Sequence, residues 1–88
     1  MINELIPIFE CPFDFEIEEG KLYIYADYTL HLCACGCRQR VYTRIAQGEW
    51  TLLNNNGLIT LRPSIGNFKG EKPYHAHYFI TNNKIQWC

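Results

Sequence analysis

The chain has 88 residues, of which 48% are hydrophobic, and a formal net charge of −1 at pH 7. A chain of this length forms a small domain with a modest apolar core, to which a bound metal or a disulfide often adds stability. The near-neutral charge argues against a nucleic-acid partner, and hydrophobic stretches far shorter than the roughly 20 residues that span a bilayer argue against a membrane protein.

We expect one cytoplasmic domain over residues 1–88, mostly β, with antiparallel strands, hairpins and little helix. Residues 1–19, interrupted by Pro7 and Pro12, predict an irregular or edge-strand lead-in. Beyond Gly20, short segments rich in β-branched and aromatic residues alternate with Gly, Asn or Asp. These segments predict strands over 21–26, 29–33, 40–45, 50–53, 58–61, 77–80 and 84–87.

Two polar stretches predict turns between these strands. Asn82-Asn83 separates the last two strands and suits the type I′ turn of a β-hairpin, because asparagine tolerates positive φ. The run from Asn54 to Gly57 predicts a longer hairpin loop for the same reason.

Three of the five cysteines lie within five residues, at Cys33, Cys35 and Cys37, with His31 two positions upstream. Disulfides between such close neighbours would be strained, and a reducing cytosol disfavours them. Thiolate and imidazole ligands at short spacing instead predict a structural, tetrahedral Zn²⁺ site, a zinc knuckle, whose fourth ligand comes from far along the chain. Cys88 is the predicted fourth ligand.

The zinc prediction requires a turn, because His31 and Cys37 would be about 20 Å apart on an extended strand. Gly36 provides that turn by accepting unusual φ values. An alternative is that Cys33 is a buried core thiol and that His31 or His75 completes the site. Cys11, isolated beside Pro12, is expected to be an ordinary half-buried thiol.

The chain contains a single serine, Ser64, at the end of a predicted strand. Pro63 and Gly66 on either side suit a tight turn that presents a hydroxyl, with backbone N–H groups near enough to stabilise an oxyanion. His75 and His77, two residues apart, share one face of an extended segment, and either is a candidate base. The residues alone leave open an ordinary turn serine and two half-exposed strand histidines.

The order of motifs along the chain is more specific than any single motif. The motifs are Leu22-Tyr23-Ile24, His31-x-Cys33-x-Cys35-Gly36-Cys37, Gly48-x-Trp50-x-Leu52, Thr60-Leu61-x-Pro63-Ser64-Ile65-Gly66-Asn67, His77-Tyr78-x-Ile80 and Ile85-x-Trp87. From about residue 18 to the end, this order resembles a family of small cysteine-rich bacterial proteins encoded beside ubiquitin-like modifiers and their activating and conjugating enzymes.

The resemblance implies a serine peptidase that processes or deconjugates the ubiquitin-like protein at its C-terminal tail. It also implies that Ser64 is the nucleophile, that His77 is the general base and that the cysteine cluster holds a structural zinc. The expected partners are the modifier, its conjugates and the associated conjugation enzymes. Where the family often has Cys-x-Ser-His, this chain has Tyr74, His75 and Ala76, so Cys88 or His75 would have to substitute for the group supplied there.

Three other functions remain as alternatives. A non-catalytic zinc-binding adaptor would bind the modifier or a conjugation enzyme through aromatic residues. A thiol sensor would use the cysteine cluster, although its spacing differs from Cys-x-x-Cys. An open zinc site would activate water if Cys88 were remote. The aromatic residues that the adaptor would use are Tyr23, Tyr25, Tyr28, Trp50 and Trp87.

Overall fold

The computed structural model describes residues 2–10, 17–67 and 76–88, which form strands and turns without a helix. The predicted mostly β fold is confirmed. No helix in these ranges is long and apolar enough to cross a membrane. The strands are β1 Ile6–Ile8, β2 Lys21–Ile24, β3 Tyr28–Leu32, β4 Arg40–Arg44, β5 Thr51–Asn55, β6 Leu58–Asn67, β7 Ala76–Thr81 and β8 Lys84–Trp87.

The strands form two four-stranded sheets, ordered β1-β2-β3-β4 and β5-β6-β7-β8. Strand β1 pairs in parallel with β2, and the other pairs among these eight strands are antiparallel. The lead-in therefore contains an edge strand at 6–8, as expected. Within each sheet consecutive strands are neighbours, and the chain passes from one sheet to the other between β4 and β5.

The two hairpin turns of the second sheet have the same length. Asn82 and Asn83 have φ of 49° and 71°, and both positive values fit the predicted type I′ turn. Asn56 and Gly57 have φ of 54° and 88°, so two residues also join β5 to β6. The longer loop predicted over 54–57 was wrong, because Asn-Gly alone makes a tight turn and the strand continues up to it.

Both sheets contribute side chains to one hydrophobic core. On β7 burial alternates, so that Ala76, Tyr78 and Ile80 face the core while the residues between them face the other side of the sheet. This alternation decides which side chains of β7 are available for chemistry. The buried core residues are Leu5, Leu22, Cys33, Ala34, Val41, Ile59, Leu61, Ile65, Ala76, Tyr78 and Ile80.

Asn83 joins the last hairpin to the rest of the domain. Its Oδ1 accepts a hydrogen bond from the Ile59 N–H at 2.7 Å, and its Nδ2 donates to the Gly57 carbonyl at 2.9 Å. Its own carbonyl accepts from the Leu5 N–H at 2.7 Å. The side chain is buried, so its polar partners would be left without hydrogen bonds if it were removed.

We therefore expect Asn83→Ala to lower the free energy of unfolding by about 2 to 4 kcal/mol, through lost hydrogen bonds and a strained positive φ. Asn56→Ala is the matched control, because Asn56 also has positive φ but is exposed, and it should cost about 1 kcal/mol. Urea unfolding of both variants measures the difference. Equal losses would show that the buried hydrogen bonds of Asn83 contribute nothing.

Candidate functional site

Ser64 and His77 meet on neighbouring strands of the second sheet. The Ser64 Oγ lies 2.7 Å from the His77 Nε2, and both side chains are half-buried. Ser64 is on β6 and His77 on β7, thirteen residues apart in sequence. A serine hydroxyl that donates to an imidazole nitrogen at this distance is the geometry in which a histidine can take the serine proton.

An irregularity in β6 brings Ser64 to this position. Leu61 lies opposite Ile80 and Ile65 lies opposite Tyr78, so three residues, 62–64, lie against the single residue Phe79. The peptide bond that joins residues 62 and 63 is cis. Beyond the bulge, Gly66 lies opposite His77 and contributes no side chain over the imidazole. The bulge thus aims the hydroxyl toward the base, a frequent role of bulges beside functional sites.

The three clustered cysteines converge at the turn after β3. The Sγ atoms of Cys33, Cys35 and Cys37 lie within 4.8 Å of one another. Gly36 has a φ of 93°, and its N–H donates to the Cys33 carbonyl at 3.1 Å. The turn predicted at Gly36 is confirmed, and it converts a row of alternating cysteines into a cluster.

The cluster has the chemistry of a metal site. Cys33 is fully buried and belongs to the core, which agrees with the alternative that it is a buried core thiol. Its Sγ also lies in the cysteine cluster. Burial, hydrogen bonds to the two other thiols and the charge of Cys33 raise the pKa of Cys35 to about 11. A bound cation would stabilise such closely spaced thiols as thiolates, and the three sulfurs can hold a metal ion.

His31 lies in the core and contacts Tyr78 of the other sheet. The His31 Nε2 is 2.6 Å from the Tyr78 hydroxyl, which also accepts a 3.5 Å hydrogen bond from the Ala34 N–H. Burial lowers the pKa of His31 to about 4 and raises that of Tyr78, so both groups are uncharged at neutral pH. The His31 Nδ1 has no hydrogen-bond partner among the described residues.

Cys88 lies outside the cysteine cluster. It is exposed, and its N–H donates to the His77 carbonyl at 3.1 Å, so it continues the β7–β8 ladder opposite His77. Opposite residues of a ladder share a face, which places the Cys88 thiol on the side of the Ser–His pair. Its role as fourth ligand stays a prediction, while Cys11 and His75 lie outside the described residues.

The position of Cys88 beside His77 was missed from the sequence, although the signal was present. A two-residue turn at 82–83 pairs residues 81 and 84, and counting outward along both strands pairs His77 with Cys88.

The proposed adaptor surface is divided: Tyr23 is only 2% exposed, whereas Trp87 is 37% exposed. Its aromatic residues therefore do not form one exposed surface.

A family model described as BubE, bacterial ubiquitination-like system serine protease, matches residues 9–88. The chain belongs to the BubE family. The resemblance found in the motifs is therefore confirmed, and it extends further toward the N-terminus than the motifs did. Neither the curated proteins nor the solved structures contain a match to the chain. The BubE description names a serine protease, and Ser64 is the chain's one serine.

Metal content tests the cysteine cluster. We expect about one thiophilic metal ion per chain, and its loss from Cys35→Ser, because two thiolates bind far more weakly than three. Cys88→Ser tests the predicted fourth ligand, and a variant that keeps the ion would exclude Cys88 from the site. Elemental analysis after dialysis against a weak chelator measures both. Loss of the metal from Cys88→Ser would support Cys88 as the fourth ligand.

Removing the Tyr78 hydroxyl tests the link between the two sheets. Tyr78→Phe should lower the free energy of unfolding by about 1 to 3 kcal/mol, because it leaves the buried His31 ring without its partner. Tyr42→Phe, at a tyrosine that is 56% exposed, should change it by no more than about 0.5 kcal/mol. Denaturant unfolding compares the two variants, and indistinguishable stabilities would contradict the assignment.

Proposed function

We propose that the chain is a serine peptidase that cleaves after the C-terminal tail of a bacterial ubiquitin-like protein, with Ser64 as nucleophile and His77 as general base. The observation that carries the proposal is the 2.7 Å separation of the Ser64 Oγ from the His77 Nε2 in a chain of the BubE family. A hydroxyl and an imidazole from separate strands meet there on the face of the sheet that points away from the core.

The proposed reaction passes through an acyl-enzyme. His77 takes the hydroxyl proton while the Ser64 Oγ attacks the carbonyl carbon of the last residue of the tail. Backbone N–H groups around Ser64 to Gly66 stabilise the oxyanion that forms. The intermediate collapses as the protonated His77 gives its proton to the leaving amine, and water, deprotonated by the same histidine, hydrolyses the ester to release the modifier carboxylate.

The second sheet offers a place for the extended tail. Strand β8 is the last strand of this sheet and runs beside β7, which carries His77. Residues 3–5 bond to the start of its outer edge, at Asn83 to Ile85, so the later part, from Gln86 to Cys88, is the place for the tail. An extended peptide binds to such an edge through main-chain hydrogen bonds and makes small demands on its own sequence. The partners in this proposal are the ubiquitin-like modifier, its conjugates and the associated conjugation enzymes, in the cytoplasm. Both maturation of the modifier and its removal from conjugates use the same bond cleavage.

The proposed metal is a structural Zn²⁺ held by Cys33, Cys35 and Cys37. Bound zinc would be coordinated by the three thiolates, would close the turn after β3 and would link metal binding to folding. Cys33 belongs to the core, whereas His77 lies on the face of β7 that points away from it. This separation supports a structural role for the metal and leaves the peptide chemistry to the Ser–His pair.

Two substitutions test the proposed mechanism. Ser64→Ala and His77→Gln should each reduce cleavage of a C-terminally extended ubiquitin-like protein by about 10³-fold or more, since each removes one of two groups that act as a unit. Both should also abolish labelling by a fluorophosphonate probe, which modifies activated serines. Thr51→Ala, at an exposed strand hydroxyl of the same sheet, is the control and should leave both unchanged.

Mass spectrometry of the labelled wild type should place the adduct on Ser64. Circular dichroism and metal content of the variants show whether they remain folded. Wild-type turnover by Ser64→Ala would exclude the serine mechanism. If the wild type and the variants all bind the modifier but none of them cleaves it, the adaptor function is favoured.

A further inference from the structure

Arg62 lies two residues before Ser64 and contacts the strand that carries His77. Its Nη1 donates to the carbonyls of Leu61 at 2.8 Å and Ile80 at 3.2 Å. Its Nη2 donates to the Thr81 Oγ1 at 2.9 Å, and the guanidinium lies over the Phe79 ring at 4.8 Å from the ring centroid. The side chain therefore holds three consecutive residues of β7 from the neighbouring strand.

The position of Ser64 needs such a contact, because the β6–β7 ladder is interrupted there. Residues 62–64 lie between the paired positions Leu61 and Ile65, and the described register gives them no individual partners on β7. Pro63 has no N–H with which to form a ladder bond. The Arg62 side chain spans this interval, and Thr81 extends the contact to β8 by donating to the Gln86 Oε1 at 3.1 Å.

The contacts of Arg62 use the shape of a guanidinium more than its charge. None of the ion pairs among the described residues includes Arg62. Its planar fork instead reaches two carbonyls and a hydroxyl while it stacks on an aromatic ring, an arrangement that the ammonium of lysine cannot reproduce. Loss of this contact would release the bulge and change the distance from the Ser64 Oγ to the His77 ring.

We propose that Arg62 is a positioning residue that fixes the bulge of β6 against β7 and so holds the Ser64 hydroxyl in line with His77. This inference rests on the proposed peptidase function of Ser64 and His77. Arg62 acts through the backbone of its own strand and does not touch the reacting atoms. Its effect therefore falls on the chemical step and leaves initial binding unchanged.

Fluorophosphonate labelling of Ser64 tests the proposal without a protein substrate. Arg62→Met keeps an unbranched side chain over Phe79 but removes every N–H donor, and Arg62→Lys keeps the charge. We expect both to lower the maximal labelling rate constant on the order of 10²-fold, as small misplacements of reacting groups do, with the probe concentration at half-maximal rate unchanged. Arg44→Met is the matched control, because it removes another exposed strand arginine, paired with Glu49, and should label as wild type does.

A second measurement reports geometry independently of activity. The ¹⁵N shifts of the His77 ring should differ from wild type in Arg62→Met and in Ser64→Ala, and match wild type in Arg44→Met. Full labelling rates in both Arg62 variants with an unchanged His77 spectrum would overturn the proposal. Rescue by lysine together with a change in the half-maximal probe concentration would also overturn it, by assigning Arg62 to ligand binding through its charge. Wild-type protein that fails to label at all would refute the peptidase function itself.

Discussion

The geometry of the candidate site depends on strand β7, which has one face toward the core and the other on the outer side of its sheet. Tyr78 points inward and contacts His31 of the opposite sheet, while its neighbour His77 points outward to Ser64. Because successive residues of a strand face opposite sides, a contact that fixes Tyr78 toward the core also fixes the side of the sheet from which the His77 side chain projects. One strand thus transmits the rigidity of the core to a half-buried pair on the surface.

The cysteine cluster acts on the same strand from the inner side. Cys33 packs in the core with Tyr78, and the Ala34 N–H donates to the Tyr78 hydroxyl. A metal that closes this turn would therefore stiffen the surroundings of β7 although it lies on the other side of the sheet from Ser64. A domain this small has little other apolar volume with which to do so.

Local sequence predicted the features that local chemistry controls. Two asparagines, which tolerate positive φ, predicted the last turn at residues 82–83, and Gly36 predicted the turn of the cysteine cluster. The contact of Ser64 with His77 is non-local: the residues alone left His75 or His77 as the base, and the family resemblance selected His77 before the structure. The bulge that creates this contact was not predicted, because register shifts depend on the partner strand. The contacts of Arg62 with β7 follow from the bulge and were hidden for the same reason.

The exposed thiol of Cys88, across the ladder from His77, affects how inhibitors of this protein are interpreted. An alkylating reagent that modifies Cys88 adds bulk next to the imidazole and obstructs the approach to Ser64. Under the proposed serine mechanism, inactivation by iodoacetamide would then imitate the behaviour of a thiol-dependent enzyme although sulfur would take no part in bond cleavage. Reagent classes alone would assign such a protein to the wrong mechanistic group.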